Sequence, residues 1–140
     1  MVLKQVRDLI DCMNKFILAV DIDDTIIKKE KDYVPRVLLP GSKEVLNWAK
    51  DKGCYIIIWT CRYGDMLKQA LDFIDKQGIK YDIVNNNAPW LEIETSRKIF
   101  YDLLIDDRAL GFTIDWENIK QLIRKEIIKN LVNEIIKVFK

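Results

Sequence analysis

Four short apolar runs punctuate the chain, each bounded by polar or turn-forming residues. Phe16-Ile17-Leu18-Ala19-Val20 and Tyr55-Ile56-Ile57-Ile58-Trp59 are apolar at consecutive positions, which predicts strands buried on both faces. Tyr81-Asp82-Ile83-Val84 and Leu103-Leu104-Ile105 predict two shorter strands. Helical spacing fills the intervals. Val45, Leu46 and Ala49 follow the turn Pro40-Gly41-Ser42, with Ser42 as N-cap and Gly53 closing the helix. Met66, Leu67, Ala70, Leu71, Phe73 and Ile74 predict a helix over 65–77, ended by Gly78. Val2, Val6, Leu9, Ile10 and Met13 predict a helix over 2–14, facing the core or a partner subunit. Ile119, Leu122, Ile123, Ile127, Leu131, Ile135 and Phe139 predict a long helix over 116–140, on the sheet or partly against another subunit. Residues 26–36 are charged and read as an exposed flap.

Strands alternating with helices predict an α/β fold. The expected form is a Rossmann-like three-layer α/β/α sandwich with a mainly parallel sheet. The whole chain, 1–140, reads as one domain, with 1–15 as an N-terminal helical extension and 116–140 as a C-terminal helix.

Composition narrows the chemistry. The 140 residues are 49% hydrophobic and 32% charged, with a net charge of +1. Nucleic acid is therefore not indicated as a partner, and no stretch is apolar enough to imply a membrane. No signal peptide is read at the N-terminus, and a cytoplasmic location is expected. The three cysteines, Cys12, Cys54 and Cys61, lack metal or redox spacing and read as buried thiols in a reducing compartment. The chain has no histidine. Ser-His-Asp and Cys-His catalysis and His-ligated zinc are excluded within it.

Asp21, Asp23 and Asp24 follow the first strand directly. Carboxylates this close repel one another and raise each other's pKa, and a divalent cation would offset them. In an extended segment positions 21 and 23 point to the same side. Asp also favours turns and helix N-caps, so this stretch alone leaves chemistry and turn-making open. The other strand ends add to it. Ligands of an open parallel sheet bind outside the carboxyl ends of the strands. There lie Thr60 and Arg62, Asn85-Asn86-Asn87, and Asp106-Asp107, with Lys98 just before the fourth strand. Carboxylates, a hydroxyl and a lysine in one crevice suit phosphoryl transfer on a hard cation such as magnesium. Arg62 either contacts a second anionic group of a substrate or pairs with Asp65.

In this pattern the sequence resembles the haloacid dehalogenase-like superfamily over residues 16–107. Asp21, Asp23 and Thr25 match its Asp-x-Asp-x-Thr motif, Thr60 its second motif, Lys98 its basic third motif, and Asp106-Asp107 its acidic fourth. It is most similar to a subgroup of small bacterial and phage-like members, through Trp59 to Arg62 and Ile105 to Arg108. The resemblance implies a magnesium-dependent phosphatase. Asp21 would be the nucleophile, forming an aspartyl-phosphate, and Asp23 the general acid and base. Asp21, Asp106, Asp107 and the Asp23 backbone carbonyl would hold Mg2+. Thr60 and Lys98 would bind the phosphoryl group, with Arg97 as the alternative to Lys98. Lys98 stands closer to Asp106 than the family's usual helix-borne lysine, so it would reach in from a loop.

The gaps between Thr25 and Thr60 and between Thr60 and Lys98 are too short for a cap domain. An open site suits large substrates or depends on a neighbouring subunit to close it. The expected partner is a small phosphorylated metabolite or a phosphorylated polymer end, and the apolar terminal helices suggest a homo-oligomer. A receiver domain fits poorly, because here the lysine precedes the last acidic pair. The alternatives are a phosphotransferase and a catalytically silent binding or scaffold protein on the same fold.

Overall fold

The computed structural model describes residues 1–13, 15–111 and 113–140, the side chains of Cys12 and Met13 excepted. The apolar runs form four strands: β1 (Ile17–Val20), β2 (Tyr55–Ile58), β3 (Ile83–Val84) and β4 (Leu103–Ile105). The helices are α1 (Val2–Met13), α2 (Ser42–Asp51), α3 (Gly64–Lys76) and α4 (Trp116–Val138). All strand pairs are parallel, in the order β3-β2-β1-β4. This is a Rossmann-like α/β fold. No cap domain is inserted among the described residues.

The register sets up the site. Val20 pairs with both Ile58 and Ile105, so β1, β2 and β4 end level with one another. The chain runs outward from β1 through β2 to β3, then returns to the other side of β1 as β4. The reversal leaves a crevice between the carboxyl ends of β1 and β4, where ligands bind in open sheets of this type.

The two faces are covered differently. Leu18, Val20, Ile56 and Ile58 pack against Val45, Leu46 and Ala49 of α2, Ala70 and Ile74 of α3, and Ile119 and Ile123 of α4. Ile17, Ala19 and Ile57 on the other face meet Ala88, Ile99, Trp90, Leu91 and Tyr101. A right-handed return from β3 to β4 must cross this second face. The segment that crosses it contains no helix. Apolar anchors take the helix's place, among them Trp90, whose ring meets that of Tyr55 edge-on at 4.6 Å.

Several expectations change at this level. Ser42 is not the N-cap of α2. Gly41 is, in the left-handed region at φ 85°, and Ser42 is buried with its hydroxyl donating to the Ile26 carbonyl. A Cβ at position 41 would lie 2.9 Å from the Trp116 Cβ, so this cap requires glycine. Ile26 and Ile27 do not belong to the exposed flap. Both are fully buried, because their N–H groups fold back onto the Ile22 carbonyl. The flap begins at Lys28, whose N–H donates to the Val37 carbonyl across its base.

Position 14 of the first predicted helix lies outside the described residues. Along α1, Val2, Val6 and Ile10 are exposed, and the helix packs against α4. In α4, Trp116, Ile119 and Ile123 are buried, whereas Ile128, Val132, Ile135 and Ile136 are exposed. Cys54 is buried, which pushes its thiol up to about 12, but Cys61 is exposed, contrary to expectation. The Cys12 side chain lies outside the described set. No helix is long and apolar enough to cross a membrane among the described residues.

Candidate active site

The strand ladder delivers Asp21. Its N–H donates to the Ile105 carbonyl at 3.0 Å, extending the β1–β4 pairing by one residue and bringing Asp21 beside Asp106. The chain then turns sharply. Asp24 is left-handed at φ 54°, a conformation that Asp tolerates better than most residues. The Ile22 carbonyl accepts from the N–H groups of Thr25, Ile26 and Ile27. This turn tucks Thr25 beneath the carboxylates, fully buried.

Thr25 is the hub of the site. Its hydroxyl lies 3.3 Å from Asp21 Oδ2 and 3.4 Å from Asp107 Oδ1, and it accepts the Asp107 N–H at 3.1 Å. One hydroxyl hydrogen serves one carboxylate at a time. The Thr25 carbonyl accepts from Trp116 Nε1 at 2.8 Å, which fastens the start of α4 to the turn. Asp106 is shaped by its own loop: its Oδ1 accepts the Arg108 N–H at 2.9 Å.

Asp21, Asp106 and Asp107 each offer a carboxylate oxygen, all within 4.8 Å of one another. Burial, and next to it the charge of Asp106, pushes Asp21 up to about 7. A carboxyl displaced this far marks an uncompensated negative site, and such shifts concentrate where a protein performs chemistry. The donors are all hard oxygens, the set that magnesium or calcium takes rather than a thiophilic metal.

Asp23 faces the same cavity with a different partner. Arg62 Nε and a terminal nitrogen donate to its two oxygens at 3.0 and 2.7 Å, a bidentate pair with Arg62 buried. Arg62 also donates to the Met66 carbonyl at 3.2 Å. It pairs with Asp23, not Asp65, and it clamps the loop after β2 and the first turn of α3 onto the loop after β1.

Around these acids lies a cavity of about 260 Å3. Its wall holds Asp21, Asp23, Asp24, Asp106 and Asp107. The flap adds Lys29 and Tyr33, and the loops after β2 and β4 add Cys61 and Arg108. A larger hollow of about 570 Å3 between Leu39–Gly41 and Ile114–Glu117 has no comparable cluster. Its Asp115 is occupied in capping α4. The smaller cavity is where chemistry can occur.

Thr60, Arg62 and Lys98 do not form part of the described wall. The Thr60 hydroxyl accepts the Arg62 N–H at 3.1 Å, while Asn85 bridges the Thr60 backbone from both sides at 2.8 and 3.0 Å. Lys98 is exposed, with its Nζ 5.7 Å from the centre of the Tyr101 ring. Lys29, Tyr33 and Trp116 carry no distinct signal along the chain, and only the folded flap and α4 bring them to the acids. Arg108 reaches the cavity as the chain neighbour of Asp106 and Asp107. Thr25 was visible as a motif position but not as the hub.

Comparison with known proteins agrees with this architecture. The sequence model of the haloacid dehalogenase-like hydrolase family matches residues 18–140. The chain belongs to that family. It is also similar to a solved structure of a conserved protein from Bacteroides thetaiotaomicron. The two are 28% identical with a TM-score of 0.71, over 80% of this chain and 92% of that one. A search of curated proteins finds no match.

Proposed function

We propose that this family member is a magnesium-dependent phosphomonoester hydrolase that works through an aspartyl-phosphate on Asp21. The acidic trio of Asp21, Asp106 and Asp107 is the observation that supports this reading most. Their carboxylates, with the Asp23 backbone carbonyl, would hold the ion. Bound there, magnesium would neutralise the carboxylates and draw charge from the phosphoryl oxygens.

The chain's own groups carry the rest. An Asp21 carboxylate oxygen attacks phosphorus in line, and the bond from phosphorus to the ester oxygen breaks. Asp23, once one of its oxygens is released from Arg62 to carry a proton, gives that proton to the leaving oxygen and then takes one from water. That water's oxygen attacks phosphorus, the bond to Asp21 breaks, and inorganic phosphate leaves. Thr25 orients Asp21, and Arg62 fixes the rotamer of Asp23. By resemblance the Thr60 hydroxyl would bind the phosphoryl group; it stands outside the cavity wall, and its bond to Arg62 uses only a lone pair, which leaves its hydrogen for another acceptor. The substrate is a small phosphorylated metabolite or a phosphorylated polymer end in the cytoplasm, since a capless site leaves room for either.

The test is hydrolysis of an aryl phosphate with added magnesium, wild type beside Asp21→Asn. Turnover by the wild type alone, abolished by chelator, is the expected result. Equal rates in the two proteins would remove Asp21 as nucleophile. Undiminished activity in excess chelator would remove the metal.

A further inference from the structure

A phosphoryl group brings negative charge into a cavity that already holds five carboxylates. Two cations line that cavity, Lys29 and Arg108. Arg62 stands behind the wall with its charge committed to Asp23. Even with Arg62 counted, cations do not balance the acids. A divalent ion would offset the carboxylates but leave little for an arriving phosphate, so a further positive group must face it. By resemblance this group is Lys98, yet Lys98 stands beside Tyr101 outside the described cavity wall, whereas Lys29, exposed like Lys98, lines it.

We propose that Lys29, on the flap, is the cation that faces the phosphoryl group of the substrate. Three observations converge on it. Its side chain shares the cavity wall with Asp21, Asp23 and Asp106. Its backbone is pinned to the acidic turn, because the Lys29 N–H donates to Asp24 Oδ1 at 2.9 Å. The flap root is closed one residue earlier by the Lys28 N–H to the Val37 carbonyl. The lysine is therefore carried at a fixed distance from the nucleophile strand although it sits on a surface loop. The Tyr33 ring steers the side chain: Lys29 Nζ lies 5.3 Å from its centre, and the Arg62 guanidinium carbon lies 5.8 Å from it. Tyr33 thus touches both the cation that would meet substrate and the one that holds Asp23.

Lys29 rests on the phosphatase reading for its role in turnover, but anion binding can be measured without turnover.

The experiment is calorimetric titration of inorganic phosphate into magnesium-loaded protein, with magnesium affinity measured first in each variant. Lys29→Ala is expected to weaken phosphate at least tenfold while binding magnesium normally. Lys29→Arg, which keeps the charge, should stay within about threefold of wild type. Lys28→Ala, the neighbour outside the cavity, should be indistinguishable from wild type. Unchanged phosphate affinity in Lys29→Ala overturns the proposal, as does a wild type that binds magnesium but no phosphate. A matching loss in Lys98→Ala but not Lys29→Ala would return the role to Lys98. A wild type that binds phosphate through Lys29 yet hydrolyses no phosphate ester refutes the phosphatase reading and leaves the Lys29 subsite standing.

Discussion

The sheet carries carboxylates at both of its ends, and the two ends treat them in opposite ways. At the amino end, Asp102 and Asp82 accept the N–H groups that open β1 and β2, from Ile17 and Ile56, each at 2.7 Å. Lys50 closes on both oxygens of Asp82 at 2.8 and 2.7 Å. These acids complete the ladder. At the carboxyl end, Asp21, Asp106 and Asp107 face one another, with the Thr25 hydroxyl shared between two of them. The acids at the amino end are spent on backbone and Lys50, whereas the three at the carboxyl end are the hard-oxygen set that a divalent cation would take.

The largest break in this contrast is chemical. Asp21→Asn should lower turnover of an aryl phosphate by about a thousandfold or more, measured by steady-state kinetics. Asp82→Ala, at the other end, should leave kcat within about twofold. Equal losses in the two variants would mean that the ends do not differ in function.

The next effect is on stability against pH. The Asp21 carboxyl, near 3.8 in an unfolded chain, is pushed up to about 7 in the fold. The metal-free fold therefore holds this proton more tightly than the unfolded chain, and loses stability as pH rises from about 4 to 7. Burial pushes Asp102 in the same direction, so the wild type must be set beside a variant. Metal-free Asp21→Asn should melt higher than wild type by on the order of 5 °C at pH 8, and by little at pH 4. Magnesium should stabilise the wild type at pH 8 and the variant much less. A gap between the two proteins that does not change with pH would contradict this origin.

Smaller again is the cost of unpairing the amino end. Asp82→Ala leaves the Ile56 N–H without its acceptor and Lys50 with only the Cys54 carbonyl, and should destabilise by about 2 kcal/mol in urea unfolding. The smallest effect belongs to the flap surface. The exposed ion pair of Arg36 with Asp32, at 2.7 Å, should be nearly neutral, so Arg36→Ala should move the melting midpoint by no more than about a degree.

What the sequence made legible follows from what is local. Buried strands announce themselves by apolar runs, as β1 and β2 do, because a strand covered on both faces has little freedom in composition; the half-buried edge strands β3 and β4 show shorter runs. Asp21, Asp106 and Asp107 were legible as strand-end acids, since parallel topology carries strand ends to one rim. Contacts made across the chain were not legible. Arg62 was expected to meet substrate or Asp65, but its partner Asp23 lies on another loop. Ser42 looked like a cap, but Gly41 had already turned the chain, and the serine was needed for the Ile26 carbonyl. Lys28 and Lys29 look alike in sequence. Only the fold of the flap sends one of them into the cavity.

The bond from Trp116 to the Thr25 carbonyl gives the molecule a temporal order. Asp21 to Thr25 leave the ribosome early, whereas Asp106, Asp107 and Trp116 follow only after most of the chain has been made. Until then the first acids have neither their acidic neighbours nor the indole that seats their turn. The same long-range closure makes folding slower than local contacts would allow. The acidic cluster assembles only once the late segments have docked, so its presence reports that the fold is finished.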